Sequence, residues 1–244
     1  MEWFESWFDT PYYHILYKNH DFREAEDFIT LLVKDLKLEK GAKIIDLACG
    51  KGRHSIFLNK LGYDVIGLDL SEQSIKHNKQ FENATLHFGV HDMRQPIEQV
   101  EQQDAVFNLF TSFGYFDNPE DDLAVFRSVS HILKKGGYFV LDYMNQNYVR
   151  NTLVPESTVE REEYTFFITK EIKDNFIIKN IRFEDQGKPM HFYEKVKLHT
   201  SETILKYATQ MGFERLKIWG NYNLEDFDEQ KSPRCITLFK KIKD

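Results

Sequence analysis

The run Ile44-Ile45-Asp46-Leu47-Ala48-Cys49-Gly50-Lys51-Gly52-Arg53, followed by Gly67-Leu68-Asp69, reads as a buried strand, a glycine turn, a helix and a second strand ending in an acid. That order marks a nucleotide-type cofactor site. Gly50 and Gly52 are expected to bring bare backbone against a ligand where a Cβ would collide. Asp69, 23 residues after Asp46, can take both hydroxyls of a ribose. A GxG turn alone is a weak signal, because ordinary strand-to-helix turns carry one too. The flanking pattern strengthens it.

Apolar strands over 43–48, 63–68, 85–89, 104–109 and 138–142 alternate with helices over about 53–61, 72–80 and 120–133. Strands separated by helices form a parallel sheet covered on both faces, so the fold class is α/β. Ser71-Glu72 and Asn118-Pro119-Glu120 are helix starts, and Lys134-Lys135-Gly136-Gly137 is a turn. Upstream, an aromatic arm from Trp3 to Tyr17 precedes a helix whose apolar face is Phe22, Ala25, Phe28, Ile29, Leu32, Val33 and Leu36. Downstream of Pro155 the texture changes. Segments 164–169, 176–183 and 193–198 are β-branched and aromatic, with polar turns between them, and predict an antiparallel insertion over about 155–198. A helix over 201–211 and strands over 213–219 and 234–240 close the chain, and the acidic 223–230 stretch reads as a solvated loop. The expectation is one domain over 1–244, carrying the arm and helix (1–40) and the insertion.

A net charge of −7 and the lack of a Lys/Arg stripe disfavour nucleic acid as a partner. Two cysteines, Cys49 and Cys235, without a CxxC pair, suggest a reducing compartment and no disulfide. No run approaches the ~20 apolar residues of a membrane span, and the acidic start lacks a basic flank, so a cytoplasmic monomer or homodimer is expected. No metal is expected. His87 and His91 have no further ligands, His191 and His199 are isolated, and Asp117, Glu120, Asp121 and Asp122 read as an acidic helix start.

Two kinds of cofactor compete for such a turn. Asp46, four residues before Gly50, would repel a pyrophosphate but attract an ammonium or sulfonium cation. Asp46-x-Ala48-x-Gly50-x-Gly52 resembles the first motif of the class I S-adenosylmethionine-dependent methyltransferases, and the resemblance runs along nearly the whole chain. It implies S-adenosyl-L-methionine as cofactor and a Rossmann-like seven-stranded sheet of order 3-2-1-4-5-7-6, the last strand antiparallel. It also implies cofactor contacts from Asp46, Ala48, Gly50, Gly52 and Arg53, from Asp69 (ribose) and Leu70, from Asp92 (adenine amine) and Met93, and from Asn108, Leu109 and Phe110 at the fourth strand's end. Cys49-Gly50-x-Gly52-Arg53-His54-Ser55 is loosely similar to small-molecule members such as tellurite-resistance-like methyltransferases, in which an insertion serves as a lid. The Asn-Pro-Pro-Tyr signature of amino-methylating DNA and protein enzymes is absent.

Methyl transfer from a sulfonium is an in-line displacement that depends mainly on alignment in a dry pocket. His91 is a candidate for proton transfer beside Asp92, with backbone capping as its plainer role. Tyr13 and Tyr115 are candidates for orienting a small acceptor. They belong to two aromatic clusters, the arm and Phe113-Tyr115-Phe116. His54 is read as support for the turn, Tyr193 and Glu194 as ordinary solvent-facing strand residues, and Cys49 as sterically committed rather than nucleophilic. The rivals are a non-catalytic S-adenosylmethionine-binding protein and an NAD(P)-dependent oxidoreductase.

Overall fold

The computed structural model describes residues 2–18, 22–98 and 100–243. The side chains of Glu5 and Phe22 fall outside this description, Phe22 being one of the expected apolar-face residues. Two sheets organise the chain. The larger runs β10-β11-β5-β4-β1-β2-β3, built from β1 (Lys43–Leu47), β2 (Asp64–Asp69), β3 (Leu86–Val90), β4 (Gln103–Asn108), β5 (Leu133–Met144), β10 (Phe213–Trp219) and β11 (Arg234–Lys241). Only β11 runs against its neighbours, pairing antiparallel with both β5 and β10. Read from the far edge, this is the expected order 3-2-1-4-5-7-6 with the final strand reversed.

Successive residues of each central strand feed opposite faces, as a period of two requires. Ile44 and Phe107 join Phe28, Ile29 and Leu32 of α3 (Phe22–Leu36) and Leu58 of α4 (Arg53–Lys60). Ile45 and Val106 face Val125, Phe126 and Val129 of α6 (Pro119–Ile132) and Ile204 of α8 (Ser201–Gln210). Ser71 caps α5 (Glu72–Asn78) by accepting from the Ser74 N–H, and Asn118 caps α6 through the Glu120 N–H, so both expected helix starts are present. The Lys134 to Gly137 turn is a bulge inside β5 rather than a start before it. Leu133 pairs with Gln103 and Tyr138 with Ala105, while Gly136 takes φ 84°.

The smaller sheet is an antiparallel meander of β6 (Glu156–Arg161), β7 (Tyr164–Lys173), β8 (Phe176–Asp185) and β9 (Lys188–Lys197). It inserts between β5, with the short α7 (Gln146–Thr152) behind it, and α8. The aromatic arm folds into two short helices, α1 (Trp3–Trp7) and α2 (Pro11–Leu16), the second capped by Thr10 with Pro11 in its first turn. The arm packs on the insertion. Trp7 and Leu16 form a third core with Phe166, Ile168, Ile181 and Phe183, and the Trp7 and Phe192 rings lie 4.7 Å apart. Arm and meander thus share one apolar interior, although most of the chain separates them in sequence.

Candidate cofactor and acceptor site

The strand order reverses between β1 and β4, and ligands of open α/β sheets bind beyond the strand ends at such a point. Asn108 spans it, donating from Nδ2 to the Leu47 carbonyl at 3.0 Å, while its buried Oδ1 has no hydrogen-bond partner. After β1 the chain turns left-handed at Ala48 (φ 62°), Gly50 (φ 53°) and Gly52 (φ 73°). The two glycines serve different ends. A Cβ on Gly50 would project into open space, as a ligand cradle requires, whereas one on Gly52 would stand 2.9 Å from the Phe88 ring. At Gly52 the collision is with the protein's own core. Gly67 has a similar role in packing, since a Cβ there would lie 2.6 Å from Phe88 and 2.8 Å from Ser55 Oγ, blocking the approach of α4 to β2.

Two carboxylates flank the loop. Asp46 is 1% exposed and accepts from Ser55 Oγ at 2.6 Å; burial pushes its carboxyl up to about 6. Asp69 accepts from the Gly50 N–H at 2.7 Å and the Ser71 N–H at 2.8 Å, and burial raises its carboxyl against those hydrogen bonds. A carboxylate offers about four acceptor positions, so Asp69 keeps capacity for a diol. Arg53 opens α4 with its guanidinium 4.2 Å from the Phe110 ring centroid, and no described carboxylate pairs with it. An acid for an ammonium, an acid for a ribose, an unpaired guanidinium for a carboxylate and open space at Gly50 together fit S-adenosylmethionine. A pyrophosphate would meet the buried Asp46.

At the end of β3, the residues expected to hold adenine are engaged internally. Asp92 forms a two-pronged pair with Arg94 (2.7 to 3.0 Å), which lowers its carboxyl against partial burial, and Arg94 also reaches Glu2 at 3.0 Å. The His91 ring bonds to the Gln95 carbonyl at 3.1 Å, the backbone-capping role. Met93 and Leu70 pack on the first core. Buried Cys49 has its thiol pushed up by burial, leaving it unreactive.

The end of β4 is strained. Phe110 (φ 59°) and Thr111 (φ 61°) are both left-handed, a conformation that side chains other than glycine's rarely take. Asp142 on β5 holds them there, accepting from the Phe110 N–H at 2.7 Å and, through its own carbonyl, from the Thr111 N–H at 3.1 Å. Arg234 on β11 pairs with Asp142 at 2.6 Å and donates to Thr111 Oγ1 at 2.7 Å. Phe110 is thereby presented between His54 (centroids 5.0 Å apart) and Tyr222 (4.8 Å), with Arg53 over its face. Sequence reading missed Asp142, Tyr222 and Arg234. Their spacing shows no pattern: the β5–β11 pairing unites Asp142 and Arg234, and Tyr222 comes from the β10–β11 connection to donate to Asp142 at 3.2 Å.

Over this floor stands the arm. Tyr13 packs 4.9 Å from Phe8, and Phe8 lies 5.6 Å from Tyr115, whose hydroxyl donates to the Thr111 carbonyl at 2.5 Å. Burial raises the Tyr13 phenol, as do Glu194 and Asp69, while Arg53 opposes them; the arm that carries Tyr13 is tied toward Asp69 by Ser71, which hydrogen-bonds the Asp9 side chain and gives its own N–H to Asp69. The structure thus brings Tyr13 and Tyr115 together and leaves His91 in its own turn. Glu194 departs from expectation. It is largely buried and receives the Trp7 indole N–H at 2.9 Å and the Tyr17 hydroxyl at 2.6 Å, with Lys179 at 3.6 Å. Tyr193, by contrast, is 42% exposed, as expected.

Comparison with known proteins agrees with this geometry. A methyltransferase-domain family matches residues 38–207. The chain is 35% identical over 122 residues to a putative methyltransferase of Bacillus subtilis, covering 49% of each chain. It is 33% identical over 120 residues to a dTDP-3-amino-3,4,6-trideoxy-alpha-D-glucopyranose N,N-dimethyltransferase of Streptomyces venezuelae, covering 49% of this chain and 48% of the other. The chain spans about half the length of the curated relatives it matches. A crystal structure of an S-adenosylmethionine-dependent methyltransferase from Clostridium acetobutylicum superposes with a TM-score of 0.78 at 20% identity, covering 94% of this chain and 95% of that one, and so shares its fold. With its sheet order and this match, the chain belongs to the methyltransferase-domain family and has the class I fold with a four-stranded insertion.

Proposed function

We propose that this chain transfers a methyl group from S-adenosylmethionine to a small-molecule acceptor by in-line displacement. The observation that carries the reading is the roof over the site: α1 and α2 pack on the lid and are tied to the Asp69 side of the glycine loop through Asp9 and Ser71. When bound, the cofactor supplies a methyl group on a sulfonium, already activated for attack. Asp46 pairs with its ammonium, Arg53 with its carboxylate, Asp69 with the ribose hydroxyls, and Ala48, Gly50 and Gly52 shape the loop against it. Leu70, Asp92 and Met93 border the adenine, and Asn108, Leu109 and Phe110 form the floor. Tyr13 and Tyr115 orient the acceptor and help exclude water, while His91 supports its loop. A roofed site with net charge −7 favours a small metabolite over nucleic acid. The Streptomyces relative is named an N,N-dimethyltransferase, which supports an amine nitrogen as one acceptor for this chain. No described helix is long and apolar enough to cross a membrane, in keeping with action in the cytoplasm.

Titration calorimetry with S-adenosylhomocysteine tests the binding half. A micromolar Kd, about −8 kcal/mol, is expected, and Asp69→Ala should weaken it by about 1–3 kcal/mol. Tighter binding of NADH than of S-adenosylhomocysteine would reverse the cofactor assignment. Methyl transfer to a panel of amines, phenols and thiols tests the catalytic half; binding with no turnover across the panel would favour a non-catalytic role.

A further inference from the structure

We propose that Glu194 is a positioning residue: it locks the N-terminal arm to the lid and so sets Tyr13 over the reacting end of the cofactor, an inference that rests on the methyl-transfer reading above. Met190, Phe192 and Glu194 alternate on one face of β9, the face the arm covers. Two apolar residues are thus followed by a carboxylate beneath the same roof. A buried carboxylate is costly unless fully engaged, and an apolar residue in its place would pack at least as stably. Here it holds two hydrogen bonds and faces a cation. One oxygen accepts from both the Trp7 indole and the Tyr17 hydroxyl, and the other faces Lys179, which itself donates to Tyr17.

Directional bonds fix a register that apolar packing leaves free. Trp7 ends α1 and Tyr17 follows α2, so they bracket Tyr13, whose ring lies 5.7 Å from Trp7 and 4.9 Å from Tyr17. One carboxylate therefore fixes both flanks of Tyr13. A second tie, from Asp9 to Ser71, secures the same arm to the cofactor side. With the arm held at both ends, release of a bound cofactor requires that these bonds open.

The test uses the full chain and Glu194→Gln, Glu194→Ala and the double variant Glu194→Ala/Lys179→Met, which removes the cation that the single variant would orphan. Stopped-flow binding of S-adenosylhomocysteine is read beside thermolysin cleavage within residues 2–18, with circular dichroism and thermal melting as the fold control. In the folded double variant, dissociation should quicken at least ~10-fold with little change in association, and arm cleavage should quicken with it. Glu194→Gln keeps an acceptor oxygen for Trp7 and Tyr17 and should restore most of the wild-type rate. Wild-type dissociation and cleavage rates in the folded double variant overturn the proposal alone. Failure of the wild-type protein to bind S-adenosylhomocysteine overturns the cofactor reading and this proposal with it.

Discussion

The side chains of Asp9 and Ser71 are hydrogen-bonded to each other across 62 positions of sequence. Ser71 also caps α5 through the Ser74 N–H and gives its own N–H to Asp69, so one serine joins the arm, a helix start and the acid at the end of β2. Ser71→Ala removes the cap and the tie together. It should cost about 1 kcal/mol of stability in urea unfolding, the usual value of a lost cap, and speed S-adenosylhomocysteine release beyond what that stability loss explains.

Gly50 and Gly52 should respond differently to the same change. Gly50→Ala meets no atom within 4 Å and bears only the left-handed strain of about 1–2 kcal/mol; its main effect should be weaker S-adenosylhomocysteine binding. Gly52→Ala adds a methyl 2.9 Å from Phe88 in the core, and should lower the melting temperature further even without ligand. Melting curves of both variants with and without ligand separate the two effects.

Asp46 predicts a pH dependence with a definite sign. Its folded value, raised from 3.8 to about 6 by burial, lies above the unfolded one. Its contribution to stability is therefore fully present below about pH 4 and lost as pH rises through 6, amounting to about 3 kcal/mol in the ligand-free protein. Asp46→Asn abolishes this titration, so its melting temperature should gain on wild type between pH 4 and pH 7. Ligand affinity should run the other way in wild type. Pairing with an ammonium requires the ionised carboxylate, so the Kd for S-adenosylhomocysteine should improve as pH climbs through 6.

Arg234 neutralises a wholly buried Asp142, and Arg234→Met leaves that carboxylate unpaired. A loss of about 3–5 kcal/mol is expected in urea unfolding. Asp142→Asn/Arg234→Met should recover part of it, since the amide oxygen can still accept from the Phe110 N–H. A double variant less stable than Arg234→Met would show that the charge itself, rather than the hydrogen bond, holds the left-handed turn.

The sheet was legible because each central strand carries its own periodicity and ends in punctuation: Asp46 to Gly52, Asp69 to Ser71, Asn118 to Pro119. The meander was legible from its β-branched runs and polar turns. Four elements escaped for local reasons. Helices α1 and α2 span 5 and 6 residues, too short to display a helical period. β6 reads Glu-Ser-Thr-Val-Glu-Arg, an edge strand with little apolar content, and α7 is a seven-residue polar helix. At the site, the glycine-loop acids were visible because their spacing is local, whereas Glu194 depends on partners 187 and 177 positions away. Asp92 was visible too, but its occupation by Arg94 is a matter of side-chain geometry that composition does not encode.

The shared interior of arm and lid also governs the order in which the chain can mature. Trp7 emerges from the ribosome 187 residues before the carboxylate that receives its indole. At roughly 5–20 residues per second, the arm's exposed tryptophans and tyrosines wait roughly 10 to 40 s for the strands that will cover them. Through that interval the nascent chain presents this aromatic segment to whatever is nearby. Holdase chaperones should engage it there, and slow codons between the arm and β9 would lengthen the exposure.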